Sequence, residues 1–248
     1  MSSDFLYDAH SAAELRAILG VPRLELRDAV KSTLDLIHQL AQEGAPGGTL
    51  VLADSQTAGR GRGGRVWKSE SGSGIWLTLL ERTNKTSADL LSIRLGLHVA
   101  RAIDGFAGAT VLLKWPNDLY VNGGKVGGIL VESRWRGEYI EWSAIGLGIN
   151  LCAPASIPEA RGLRPGTARV DVLRAILPAL RSAALASGPL CDEELLDIAV
   201  RDMARGRECS QPARGRVGGI SADGSLVINS AAGVIRARAG SLVLEEDA

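Results

Sequence analysis

The chain is poor in cysteine, lysine, histidine and aromatic residues, and it carries no net charge. Its three cysteines, Cys152, Cys191 and Cys209, lie far apart and form no C-x-x-C pair. That excludes a disulfide framework and a zinc ribbon, and it fits a reducing, cytoplasmic setting with buried or idle thiols. Lysine plus arginine (28) balance aspartate plus glutamate (28), so the total charge gives no support to a general affinity for nucleic acid. The opening residues MSSDFLYDAH lack the basic and apolar regions of a signal peptide. No apolar run approaches the roughly 20 residues that span a bilayer, and no membrane partner is expected. His10, His38 and His98 are scattered, the last two on expected helices, and form no pattern for a catalytic histidine. Only five lysines stand beside 23 arginines, so each lysine is informative singly.

What is present suffices for a core, since 46% of the 248 residues are hydrophobic. Ser11 and Glu14 have capping-box spacing and open a short helix that Gly20 closes. Ser32 or Thr33 caps a second helix ending at Gly44. Residues 49–53 and 75–80 read as buried strands, and Ser87 as the cap of a long amphipathic helix. A strand at 111–114 stops at Trp115-Pro116, and residues 125–135 and 139–150 form an antiparallel hairpin. Helices follow near 170–186 and 192–203. From about residue 206 the pattern changes to short strands, at 217–220, 225–229, 234–239 and 241–244. The order is mixed α+β, with one domain over 1–205 and a small β domain over 206–248.

The stretch QTAGRGRGGRVW, Gln56 to Trp67, contains G-R-G-R-G-G, which satisfies the dinucleotide pattern G-x-G-x-x-G at Gly59, Gly61 and Gly64. That fingerprint needs a helix immediately after the glycines, to meet a pyrophosphate. Here Gly72 and Gly74 follow, and the next element is a strand. Glycines alternating with Arg60, Arg62 and Arg65 suit another task. Free backbone N–H groups and guanidinium forks together bind phosphate or carboxylate. Such a loop is costly to order alone and is expected to be ordered by a polyanionic ligand. Its bland alternative is a solvated basic turn.

A second stretch, Lys114 to Glu132, places two lysines, Asn117-Asp118 and four glycines around a strand, a turn and a strand. Gly127 and Gly128 leave room for a close ligand, and Lys125 begins the second strand beside them. The bland reading is a surface lysine and an Asn-Asp turn.

Taken in order, the motifs resemble those of the biotin–protein ligases. They are Ser32-Thr33; Gln56-x-Ala58-Gly59-Arg60-Gly61-Arg62-x-Gly64-Arg65-x-Trp67; Lys114-Trp115-Pro116-Asn117-Asp118; Lys125-x-Gly127-Gly128-Ile129-Leu130-x-Glu132; and Gly146-x-Gly148-Ile149-Asn150. The resemblance runs from Arg27 to the C-terminus. It implies a mixed-sheet catalytic domain of the class II synthetase-like, biotin–lipoate ligase type, followed by a small SH3-like β-barrel domain. It also implies use of ATP, biotin and Mg²⁺, with biotinyl-5′-AMP as intermediate and a biotin carboxyl carrier protein as acceptor. Lys125, Arg60 and Arg62 would be the catalytic cations. Thr33 and Gln56 would bind the ureido ring, Ser32 would adjoin them, and Trp76 and Gly128 would line the apolar pocket. Gly59 and Gly61 would lend N–H groups, Trp67 would lie near adenine, and Asn150 would support the nucleotide. Gly127 would give room for close approach, and Asn117 and Asp118 are candidate Mg²⁺ ligands.

Three departures stand out. Leu34 occupies the place of the asparagine in the usual Ser-Thr-Asn. Ser241-Leu-Val-Leu244 offers no match to a basic residue often found there. About 30 residues precede Ser32, which is short for a winged helix-turn-helix, so neither DNA binding nor repression is expected. Two other readings are a lipoate–protein ligase and a non-catalytic biotin-binding regulator. The sequence leaves a homodimer open.

Overall fold

The computed structural model describes residues 5–82 and 90–245. Its main element is a seven-stranded sheet in the order β1-β2-β3-β7-β6-β5-β4. The strands are β1 (Leu24–Val30), β2 (Leu50–Gln56), β3 (Gly74–Glu81), β4 (Leu112–Lys114), β5 (Asp118–Val121), β6 (Gly124–Arg136) and β7 (Tyr139–Asn150). Only β1 and β2 pair parallel, joined through helix α2 (Thr33–Gln42). All other neighbours are antiparallel; β4–β5, β5–β6 and β6–β7 are hairpins, and β7 returns to pair with β3.

The sheet is covered differently on its two faces. On one, Leu52, Ile75, Leu77, Ile145 and Leu147 pack with the apolar residues of α3 (Leu91–Ala107) and α4 (Arg169–Leu185). Helix α1 (Ala12–Leu19) packs beside them, opened by the Ser11–Glu14 capping box and closed by Gly20 in the left-handed conformation. On the other face α2 lays Leu34, Ile37 and Leu40 against Val51, Leu80, Trp142 and Ala144. The alternation of side chains along a strand explains the separation of the two clusters.

Helix α5 (Asp192–Arg201) leads to a second, five-stranded antiparallel sheet, ordered β11-β10-β9-β8-β12. Its strands are β8 (Glu208–Gln211), β9 (Gly215–Ile220), β10 (Leu226–Ser230), β11 (Gly233–Ala237) and β12 (Val243–Leu244). Among the described residues no ladder joins β11 to β12. Cys209, Val217, Leu226, Ile228 and Leu242 belong to the same apolar cluster as the main core. Trp115 also donates its indole N–H to the Gly224 carbonyl at 3.1 Å.

Some expectations need adjustment. Strands β1, β5 and β8 were not anticipated: only Leu26 of the seven residues of β1 is buried, and β5 and β8 are four residues each. The expected cap Ser87 lies outside the described residues; α3 begins at Leu91, and Leu90 stands at its N-cap position without a capping side chain. Among the described residues no helix is long and apolar enough to cross a membrane.

Candidate functional site

A taper in side-chain size makes the site. On the α2 face of β7 the residues run Trp142, Ala144, Gly146, Gly148, while the opposite face keeps Ile145, Leu147 and Ile149. Gly128 of β6 pairs with Gly148, and Leu130 with Gly146. Three glycines thus thin this face beside Trp76 and Leu130, and a cleft of about 330 Å³ opens there. That is within the ~300–1,000 Å³ range of small-molecule pockets. Trp67 roofs part of this floor. A Cβ at Gly148 would sit 2.6 Å from the indole, and one at Gly128 would be 3.3 Å away. The indole N–H is buried without a partner.

One end of the cleft is polar and neutral. The Gln56 side-chain oxygen accepts from the Thr33 backbone N–H at 2.8 Å and from its hydroxyl at 3.1 Å. Gln56 Nε2 donates to Ser69, and the Thr78 hydroxyl donates to Thr33. Leu34 lies beside this group, 4% exposed and packed on Gly146, where a Cβ would meet its Cδ1 at 3.1 Å. The departure from asparagine therefore makes an apolar wall on the α2 side.

The other end is cationic. Lys125 Nζ lies 2.7 Å from Asp118 Oδ1 and 5.1 Å from the centre of the Trp67 ring. Lys114 faces the same cleft over the Tyr120 ring, and burial pulls its ammonium below the usual lysine range. The loop after β2 adds three guanidinium groups. It folds as a narrow hairpin, with Trp67 N–H bonded to the Gly59 carbonyl and Gly61 N–H to the Arg65 carbonyl. Gly63 and Gly64 turn it with φ of 67° and 76°, a conformation side chains resist. Arg60 is ion-paired with Glu132 at 2.6 Å and Asp35 at 3.4 Å. Arg62 donates to the Gly240 carbonyl and Arg65 to the Ser241 hydroxyl.

Of the residues singled out from the sequence, Thr33, Gln56, Arg60, Gly61, Arg62, Trp67, Asn117, Asp118, Lys125, Gly128 and Asn150 all line this cleft. Four do not. Trp76, expected as a wall, is 1% exposed, edge-on to Trp67 at 6.5 Å, and donates its N–H to the Asp54 carbonyl. Trp67 shields it. Gly59 and Gly127 sit against backbone rather than the cleft: a Cβ would meet the Trp67 carbonyl at 2.5 Å or the Gly148 carbonyl at 2.9 Å. Ser32 stands at the N-cap of α2 but makes no capping bond, and its hydroxyl is buried without a partner. Asn117 uses its amide to donate to the Ile129 carbonyl, at the end of the β5–β6 pair away from its turn, and Asn150 reaches the Arg161 carbonyl at 3.3 Å. Among the described residues no three His, Cys, Asp or Glu converge as a metal site.

Sequence reasoning missed the segment carrying Ile157, Glu159 and Ala160, and the contribution of Ser241 and Leu242, all of which line the cleft. The Lys125 N–H donates to the Glu159 carbonyl at 2.9 Å. No spacing rule links residues so far apart in the chain.

Fold and cleft define an α+β protein with one cleft that brings neutral hydrogen-bonding groups and cations together. A family model, the Biotin/lipoate A/B protein ligase family, matches residues 26–150, and the chain belongs to that family. It is 41% identical over 126 residues to a bifunctional ligase/repressor BirA of Bacillus subtilis, covering 50% of this chain and 39% of the relative. To a biotin–[acetyl-CoA-carboxylase] ligase of Paracoccus denitrificans it is 40% identical over 126 residues, covering 50% and 51%. The matched segments thus span about half or less of these relatives' lengths. A biotin protein ligase of Aquifex aeolicus, solved in complex with biotin and ATP, superposes with a TM-score of 0.71 at 26% identity. That match covers 91% of this chain and all of the other. The mixed-sheet α+β fold, with its second antiparallel sheet, is that of biotin protein ligases.

Proposed function

We propose that the chain is an ATP-dependent biotin–protein ligase. It would join biotin to ATP as biotinyl-5′-AMP and then pass the biotinyl group to a lysine of a biotin carboxyl carrier protein. The observation that carries this reading is the polarity of one continuous cleft. The Thr33–Gln56 pair lies at one end, Lys114, Lys125, Arg62 and Arg65 at the other, Arg60 across the mouth, and a floor opened by Gly128, Gly146 and Gly148 between. The similarity to relatives named as biotin ligases supports it.

The chemistry follows from the charges. A biotin carboxylate oxygen attacks the α-phosphorus of ATP, forming a C–O–P anhydride and releasing pyrophosphate. The reactants repel each other, and Lys125, between floor and mouth, supplies the charge that lets them meet. Preorganised donors of this kind are each worth about 10²–10³ in rate. Arg60, from the mouth, and Arg62 would grip carboxylate and phosphate with the guanidinium donors that Glu132, Asp35 and Gly240 leave free. Trp67 offers its ring to the base, and Asn150, by holding the Arg161 segment, shapes the nucleotide side. A carrier lysine amine then attacks the acyl carbon; AMP leaves, and the amine gives up a proton. The closed loop excludes water, which would otherwise hydrolyse the anhydride.

A Mg²⁺ ion bound with ATP would neutralise phosphate charge, and Mg²⁺ often takes only one or two protein carboxylates. Asp118, whose Oδ1 also holds Lys125, would supply a carboxylate oxygen, and Asn117, whose amide nitrogen donates to Ile129, would have its amide oxygen to offer. We assign residues 206–248 to a C-terminal domain that completes the cleft through Ser241 and Leu242.

The test is incubation with Mg-ATP, a carrier domain and either biotin or lipoate, read by mass spectrometry of the carrier. A mass increase of one biotinyl group, dependent on ATP, is expected. Lipoyl addition in preference to biotinyl would replace this reading by the lipoate ligase one, and no modification with adenylate still formed would leave only activation.

A further inference from the structure

On the outer rim of the cleft four side chains, from β7, α2, β6 and the arginine loop, form one line. Trp142 Nε1 on β7 donates to His38 Nδ1 on α2 at 3.1 Å. With Nδ1 accepting, His38 Nε2 carries the proton and donates to Glu132 Oε2 on β6 at 2.9 Å. The same Glu132 oxygen receives Arg60 Nη2 from the loop at 2.6 Å. Asp35, one turn before His38 on α2, stands 3.4 Å from Arg60 Nε.

The line has a fixed end and a free end. Trp142 is 5% exposed and packed in the cluster under α2. Arg60 is on a glycine-flanked loop, with its side chain 38% exposed. Glu132 lies on the floor face of β6, four residues beyond Gly128, which is roughly 13 Å along the strand. An arginine held there lies across the mouth rather than deep in the cleft. Among the described residues no serine, cysteine or threonine nucleophile is bonded to the histidine–carboxylate pair, and the indole occupies its second nitrogen. It therefore holds Glu132 in place rather than moving protons for a nucleophile.

We propose that Glu132, oriented by His38 and assisted by Asp35, is a positioning residue: the catch that keeps Arg60, and with it the arginine loop, closed over the cleft. Its consequence for catalysis rests on the ligase reading: retention of biotinyl-AMP depends on a protein carboxylate 72 residues from the loop as well as on the ligand's own charge.

The loop's arginines make it a substrate for trypsin, so closure is measurable without any ligand. Full-length wild type, Glu132→Gln, Arg60→Met and the double variant are digested under native conditions, and cleavage after Arg62 and Arg65 is followed by mass spectrometry. Cleavage after Arg214, in the connection between β8 and β9, reports loosening elsewhere in the molecule. Glu132→Gln and Arg60→Met should each speed loop cleavage about three- to ten-fold relative to Arg214, and the double variant should be no faster than either. Asp35→Asn, at an exposed position, should give a smaller increase and guards against a folding defect in Glu132→Gln. Loop cleavage within two-fold of wild type in Glu132→Gln, or multiplying effects in the double variant, would overturn the catch. With biotin and Mg-ATP added, escape of biotinyl-AMP should rise in Glu132→Gln in parallel with cleavage; unchanged escape would also overturn it. If wild type forms no biotinyl-AMP, the ligase reading fails while the cleavage results still decide the catch.

Discussion

Single atoms decide two features of the cleft, and both can be tested. Lys125 is held by Asp118 at 2.7 Å, with its aliphatic part close to Gly128. Replacing it with alanine should lower pyrophosphate release by at least 10², the loss expected for one donor to developing charge. A pyrophosphate assay in which Lys125→Ala stays within a few-fold of wild type would remove it from the charge-bridging role. The second feature is the absence of a side chain at Gly148. A methyl there would lie 2.6 Å from the Trp67 ring, so the indole must move. Gly148→Ala should weaken a non-hydrolysable biotinyl-AMP analogue by about ten-fold, roughly 1.4 kcal/mol. The contact is at the surface of a cleft rather than in the core, so the melting temperature should change little. Calorimetric titration beside thermal unfolding separates the two effects. Arg60, Lys125 and Gly128 could be named from local spacing alone. Trp76 was misplaced because Trp67 lies over it, and Trp67 gets there by a loop closure that spacing does not encode.

At the level of elements, the β6–β7 hairpin was legible because its runs are long and apolar and its turn contains Gly137, with φ of 63°. Strand β1 was not, because an edge strand with Glu25, Arg27 and Asp28 shows no clear alternation. Helix α5 was legible at its start, yet what anchors it was not. Glu194 at its third position bonds the Cys191 N–H at 2.9 Å and pairs with buried Arg94 of α3 at 2.6 Å. The Arg94 hydrogen bond holds this carboxyl at about 2, well below the usual glutamate range. A depressed folded-state value means the stabilisation is present above the unfolded value and lost as pH falls through the folded one. The contribution, on the order of 2–3 kcal/mol, should fade between about pH 5 and pH 2. Glu194→Gln should accordingly lower the melting temperature by roughly 5 °C or more at pH 7 and progressively less toward pH 3. Calorimetric scans across that range would show it; a deficit independent of pH would assign the loss to packing instead.

Across the whole molecule, the two sheets act as one body in the structure. Their apolar residues form a single cluster, and the Trp115–Gly224 bond crosses between them. The cleft needs that union, because Arg62 and Arg65 bond Gly240 and Ser241, and Leu242 is both core and cleft wall. None of this could be read from the 206–248 segment, whose short strands show their type but not their docking partner. If the union is cooperative, heating should unfold both sheets in one transition. Leu242→Ala removes a side chain 5% exposed and should cost about 2–5 kcal/mol, lowering that one transition rather than splitting it. Biotin plus Mg-ATP, binding a cleft that both sheets complete, should raise the same transition in wild type by mass action. A scan of Leu242→Ala with two peaks, only the upper of them raised by ligand, would mean that the second sheet unfolds separately and that the main sheet binds without it.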